Sequence, residues 1–326
     1  MTSYHNTDLG NLNFLITGGA GFIGSHVTEY LLKNGAGKVR VLDNFLTGSE
    51  NNIGLFSNYP NFEFVQGDIR DREVCKKACK GIDHVNHQAA LGSVPRSILD
   101  PVTSNEVNVS GFVNMITAAK DAGVKTFVYA SSSSVYGDEP GLPKVETKTG
   151  NQLSPYAVTK MADELYAGVF FRQFSMKVIG LRYFNVFGPR QDPSGPYAAV
   201  IPVFVDRIMK GESVRINGDG EQTRDFTYVD NAVQANIRAM FATNDAAYGE
   251  AYNIAVGEQF SVNHLYNSIR ELLGIDHQPT HVEARAGDIR NSLADISKAE
   301  KLLGYKPTFN FPEGLKKTVE YFQLKH

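Results

Sequence analysis

The run NFLIT, Asn13 to Thr17, leads straight into GGAGFIG, and that junction constrains the fold more than any other stretch of the chain. An apolar strand-like run followed by Gly18, Gly21 and Gly24, and then by the helix-like FIGSHVTEYLLKNG, predicts a sharp strand-to-helix turn. Glycines there let backbone N–H groups and the N-terminus of the helix approach a pyrophosphate closely. Three spaced glycines alone also fit a merely tight turn, so the surrounding segments have to decide.

Further strand-like runs, KVRVLD, FEFVQGD, DHVNHQAA, KTFVYASS and KVIGLRYF, alternate with helix-like segments through the first half. That rhythm predicts an α/β fold, a Rossmann-type doubly wound parallel sheet covered by helices. After about Gly188 it gives way to GPRQDPSGPYAAV, a helix-like stretch near 199–211, and then short strands mixed with helices. The expected division is a dinucleotide-binding domain over 1–188 and a smaller mixed α/β domain over 189–326. The portion 225–256 is expected to fold back onto the main sheet.

Asp43 ends the strand after the glycine turn, where a carboxylate accepts hydrogen bonds from ribose hydroxyls and repels a 2′-phosphate. This favours NAD over NADP, although Arg40 stands three positions earlier in the strand. A second acidic strand end, Gly67-Asp68-Ile69, fits an adenine contact or a helix cap.

Composition narrows the classes. With 326 residues and a net charge of -3 from interspersed charges, nothing points to a nucleic-acid surface. The opening MTSYHNTDLGNLN lacks the pattern of a secretory leader, and no apolar run is long enough for a membrane span, so a cytoplasmic protein is expected. The two cysteines, Cys75 and Cys79, share a helix-like segment without further ligand-type residues, which reads as helix packing in a reducing compartment and not as a metal site.

The segment SPYAVTK places Tyr156 four residues before Lys160, neighbours on one helical face. A phenol ordinarily titrates near ~10. An adjacent ammonium and an oxidised nicotinamide would both favour its phenolate, so the pair is a candidate base and its supporting cation. Upstream, KTFVYA ends in Ser131 to Ser134 where a parallel strand leaves the sheet, a position suited to a ligand or to tight-turn hydrogen bonds.

Together, GGAGFIG, LDN, GDIRD, HQAA, SSSSVYG, SPYAVTK, LRYFNVFGPRQ, GDGEQTRDFTYVDN and GDIRNSLADISKAEKLLGY resemble the extended short-chain dehydrogenase/reductases, specifically the NAD-dependent nucleotide-sugar epimerases. The resemblance spans almost the whole chain, and ALGSVPRS and YAAVIP look most like bacterial UDP-N-acetylglucosamine 4-epimerases. It implies Tyr156 as base, Lys160 as supporting cation, and Ser132, with Ser133 beside it, as partners of the reacting hydroxyl. It implies NAD contacts from Gly18, Gly21, Phe22, Ile23, Gly24, Asp43, Asn44, Gly48, Asp68, Ile69, Gln88, Ala89, Ala90 and Tyr183, besides Tyr156 and Lys160. For the nucleotide sugar it implies Gly92, Ser93, Asn185, Val200, Asn217, Arg224, Arg285, Asp288 and Ser292.

The activity so implied is C4 epimerisation of a UDP-sugar through a transient 4-keto sugar. Ser133 and Ser134 stand where related dehydratases carry an Asp-Glu pair, which disfavours elimination. Ser292 matches a position where relatives that exclude N-acetyl groups carry tyrosine, so UDP-N-acetylglucosamine is the expected substrate. The alternatives are UDP-N-acetylhexosaminuronic or UDP-glucuronic acid, with Arg96 facing the carboxylate, and an idle NAD-sensing protein. The resemblance also implies a homodimer built from helices near 101–122 and 154–174, in which Phe112, Val113, Met115 and Ile116 fit either an interface or internal packing.

Overall fold

The computed structural model describes residues 3–195, 198–284 and 290–325. Seven strands form the central sheet: β1 (Asn13–Thr17), β2 (Lys38–Asp43), β3 (Phe62–Gln66), β4 (His84–His87), β5 (Thr126–Ser132), β6 (Val178–Tyr183) and β7 (Glu250–Ile254). They lie in the order β7-β6-β5-β4-β1-β2-β3, and every pairing is parallel. From β1 the chain builds outward through β2 and β3, then returns to lay β4 on the other side of β1. A crevice therefore opens beyond the carboxyl ends of β1 and β4, the place where open α/β sheets bind ligands.

The apolar runs predicted to be strands are buried because helices cover both faces. The main helices are α1 (Phe22–Lys33), α2 (Arg72–Cys79), α3 (Gly111–Asp121), α4 (Pro155–Phe174), α5 (Val200–Met209), α6 (Val229–Met240), α7 (Val262–Leu273) and α8 (Phe311–Gln323). Phe14 and Ile16 point to one face and join Val27, Leu31 and Ile237 of α1 and α6. Leu15 points to the other, with Cys75 of α2, Phe112 and Ile116 of α3 and Ala167 of α4. This alternation lets a continuous apolar strand feed two cores.

Three expectations are refined. The helix expected over 101–122 runs without interruption through Pro101–Asn105, a π-helical turn Glu106–Ser110, and α3. Phe112, Met115 and Ile116 are wholly buried within the chain, so internal packing claims them. Asp71, not Asp68, caps α2, its side chain accepting from the amides of Glu73 and Val74.

The C-terminal part carries its own core, in which Phe204 of α5, Leu265 of α7 and Leu315 of α8 pack with Phe226 and Phe187. Short strands stitch it together: Arg215–Asn217 runs parallel to Thr280–Val282, and Thr223–Arg224 antiparallel to Phe260–Ser261. Cys75 and Cys79 are buried free thiols pushed up to about 12, chiefly by burial. Among the described residues no helix is long and apolar enough to cross a membrane.

Candidate active site

The glycine turn is built to bring backbone close. Gly18 sits at φ +68°, and a Cβ there would lie 2.7 Å from the Ala89 amide nitrogen; one on Gly24 would overlap the Gly18 carbonyl oxygen. Gly21 precedes α1 with no capping side chain, so the first-turn N–H groups face the crevice without a protein acceptor from the cap. A cradle that side chains would fill, under an uncapped helix N-terminus, fits a dinucleotide pyrophosphate.

The cleft over this turn measures about 310 Å3, and its wall includes Gly18, Gly21, Phe22, Ile23 and Gly24. Asp43, Asn44, Asp68 and Ile69 line its far end, and Gln88, Ala89, Ala90 and Gly92 its floor. Gly48 lies outside this lining, in an adjoining hollow beside Ala20 and Phe22. A Cβ on Gly48 would press to 2.7 Å from that of Ala20, so the glycine shapes the turn from behind.

Asp43 holds the cradle as well as facing the cleft. Its Oδ2 accepts from the Ala20 amide at 2.9 Å and its Oδ1 from Phe45 at 2.8 Å, while burial raises its carboxyl above the ordinary value. Asp68 is paired with Arg70 and takes a hydrogen bond from the Asn44 amide, which holds its carboxyl low. Arg40, the residue that pointed toward NADP, turns away: its guanidinium is tied to Glu63 and to the carbonyls of Ala78 and Lys80.

Beneath the cleft the Gln88 amide donates to Asn86 and Asn236, and the Tyr183 hydroxyl donates to Gln88 at 3.2 Å. Burial pushes the Tyr183 phenol well up, so it stays neutral. Nothing in the local sequence marks Asn236, because it arrives from α6.

At the other end stand Tyr156 and Lys160. Ser154 caps α4 by accepting from the Ala157 amide, with Pro155 at the first helical position, and the Tyr156 amide donates to Ser97 Oγ at 3.0 Å. Both residues line the cleft. Lys160 is buried, and its Nζ donates to the Ala130 carbonyl at 2.9 Å and pairs with Asp163 Oδ2 at 3.2 Å. Asp163 was missed in the sequence; its place one turn after Lys160 was the available signal.

The four serines have separate duties. Ser131 donates to Glu164, which also grips Arg182, so it serves the buried frame. Ser132 lines neither cleft; it stands between them, its Oγ accepting from the Ser134 amide at 3.2 Å. Ser133 and Ser134 line a second cleft of about 590 Å3, and Ser134 Oγ is buried there without a hydrogen-bond partner among the described residues. That oxygen is closed off from solvent, so Ser134 lines the cleft with its other atoms.

This second cleft gathers Asn185, Arg224 and Ser292 against Pro95 and Phe184. Asn185 holds φ +34° and donates to the Asp225 carbonyl. Buried Asp225 accepts from the amides of Val256, Gly257 and Ala294, and burial pushes it up to about 6. Lys144, also missed, lines the wall with its ammonium bound to Glu139. Ser93, Val200 and Asn217 are not in the lining: Ser93, at φ +104°, caps the helix Val94–Leu99, Val200 opens α5, and Asn217 is the exposed end of a short strand. Arg96 lies outside the lining as well. Arg285 and Asp288 fall outside the described residues.

The sequence profile of the NAD dependent epimerase/dehydratase family matches residues 14–255. The chain belongs to this family. A putative UDP-glucose 4-epimerase of Methanocaldococcus jannaschii is 39% identical over 311 residues, 95% of this chain and 98% of that one. The UDP-N-acetylglucosamine 4-epimerase from Methanobrevibacter ruminantium, solved with UDP-N-acetylmuramic acid, aligns with TM-score 0.91 at 38% identity, covering 97% and 99% of the two chains. The UDP-glucose 4-epimerase of Thermotoga maritima, solved with UDP-glucose, aligns with TM-score 0.90 at 38% identity over 96% and 99%.

Proposed function

We propose that this member of the NAD-dependent epimerase/dehydratase family inverts C4 of UDP-N-acetylglucosamine and UDP-N-acetylgalactosamine. The observation that carries the choice of sugar is Ser292, a small side chain in the wall of the second cleft alongside Ser133, Ser134 and Arg224. A compact hydroxyl there leaves space for an acetamido group, where a tyrosine would fill it. The buried cation of this wall, Lys144, spends its charge on Glu139, which favours a neutral sugar over a hexuronic acid.

The chemistry follows from the residues. NAD, when bound in the first cleft, supplies a reversible hydride acceptor. Tyr156 takes the proton of the sugar 4-hydroxyl and later returns it, with Lys160 favouring its phenolate. Ser133 offers a hydroxyl to the sugar, and neither it nor Ser134 supplies an acid-base pair for elimination. Arg224 supplies the planar cation that suits a diphosphate. Residues 1–188 supply the cofactor cleft and much of the sugar cleft, which the portion 189–326 completes with Arg224 and Ser292, while Glu250–Ile254 returns to the main sheet. Buried, reduced Cys75 and Cys79 suit the cytoplasm as its location.

The protein is also expected to dimerise through α4. Val158, Leu165 and Val169 are 54%, 66% and 42% exposed on that helix, and nearby Val102 is 66% exposed. An apolar stripe left open by the fold is what a two-fold partner would cover.

Mixing the purified protein with UDP-N-acetylglucosamine, first without and then with added NAD, and following the anomeric proton signals by NMR tests the activity. UDP-N-acetylgalactosamine should appear. Absence of turnover under both conditions, with turnover of a hexuronic or unacetylated UDP-sugar, would reject the choice of substrate.

A further inference from the structure

Asp163 is 0% exposed, and the only cation within salt-bridge distance of it among the described residues is Lys160. One oxygen meets that ammonium at 3.2 Å, and the other, Oδ1, has no hydrogen-bond partner among the described residues. A fully buried carboxylate with half its acceptor capacity unmet is costly as mere scaffolding. Its pairing with Lys160, which lines the cofactor cleft one helical turn from Tyr156, gives it a different use.

We propose that Asp163 is a positioning residue that sets how strongly the Lys160 charge acts on Tyr156, and thereby the pH range in which Tyr156 accepts a proton. This rests on the reading of Tyr156 as the base. With Asp163 ionised, Tyr156 faces an ammonium-carboxylate pair, whose field falls off faster than that of a lone cation. With Asp163 protonated or neutral, the whole Lys160 charge favours the phenolate. The Ala130 carbonyl and Asp163 together also hold Nζ in place, so the carboxylate fixes both the position and the effective charge of the cation.

The surroundings leave this pair to act largely on its own. On its own helix Asp163 faces Lys160 and Glu164, and Glu164 is neutralised by Arg182 of β6. From β5 it faces the Tyr129 phenol, which burial keeps protonated, and Ser131, which is held by Glu164. His87 of β4 lies against Lys160 and is pushed down to about 3 by burial and then by Lys160, so it carries no charge. The helical segments packed on α4 bring Asn108, which donates to Thr159, and Arg96, Glu106, Lys120 and Asp121 at more open positions. Burial pushes Asp163 up to about 7 against the pull of Lys160, so its charge changes within the working range of an enzyme.

Asp163→Asn preserves shape and an oxygen that accepts from Lys160 while removing the charge. The tyrosinate absorbance that disappears on Tyr156→Phe should emerge about one pH unit lower in D163N than in the parent, measured without added ligand. It should also rise more steeply, because in the parent the ionisation of Asp163 opposes that of Tyr156. The acid limb of kcat for the epimerase should move down in parallel. Should D163N fail to fold, judged by circular dichroism, Asp163→Ser is expected to give the same shift. A variant that folds with reduced kcat or stability but with an unmoved midpoint and slope would overturn the proposal. If the parent turns over no UDP-sugar, the functional reading fails, while the absorbance titration still decides the role of Asp163.

Discussion

Gly24 and Gly18 meet so closely that the Gly18 carbonyl oxygen occupies the place a Gly24 side chain would take. The contact seats the first turn of α1 against the end of β1, and the N–H groups above it point into the cleft. Gly24→Ala must push helix and turn apart. It should destabilise the fold by ~2 kcal/mol and release bound NAD, read as a fall in thermal midpoint and as loss of cofactor from the desalted protein.

Ser292 should act as the gate for the acetamido group. Ser292→Tyr is expected to cut turnover of UDP-N-acetylglucosamine by roughly 100-fold and to leave an unacetylated UDP-glucose within a few-fold, because a steric block costs only the substrate that needs the space. Equal rates for both sugars in the variant, followed by NMR, would remove Ser292 from the specificity account.

Asp225 gives a signed pH dependence. Its carboxyl is raised to about 6 from an ordinary 3.8, mainly by burial, so between those values the folded chain holds a proton that the unfolded chain has released. The stability this confers is complete below the lower value and lost as pH climbs through the upper one, by about 3 kcal/mol in all. Asp225→Asn lacks this slope. Urea midpoints of parent and variant should therefore diverge against the parent from about pH 4 to about pH 6.

Leu165, two-thirds exposed on α4, tests the assembly. Leu165→Arg should halve the mass seen by sedimentation equilibrium while the far-ultraviolet spectrum is kept. A parent that sediments as a monomer would instead leave the α4 stripe without a two-fold partner.

How far the sequence was readable depended on distance along the chain. Gly18, Gly21, Gly24 and Asp43 declared themselves because their partners lie within one strand-turn-helix unit, where spacing dictates contact. Tyr156 and Lys160 were readable for the same reason, being one helical turn apart. Residues whose meaning comes from remote segments were not: Asn236 reaches Gln88 from α6, and Lys144 meets the segment carrying Ser292 only through tertiary packing. The π-helical turn between Asn105 and Gly111 was hidden too. Within it lies buried Asn108, whose side chain exchanges hydrogen bonds with the Leu91 backbone and donates to Thr159.

The bridge between Lys144 and Ala294, with the Lys144 amide donating to Leu293 and its carbonyl accepting from Asp295, joins two distant stretches of the polypeptide. A ribosome delivers them in order. The crevice between β1 and β4 has all its glycines, Asp43 and Tyr156 in hand while Asp225 still lacks Val256, Gly257 and Ala294 to hold. In a nascent chain the dinucleotide pocket can thus form before Arg224 and Ser292 arrive to complete the wall of the sugar cleft. Translation itself would impose an order in which the recycled group is loaded first and the consumable one is admitted last.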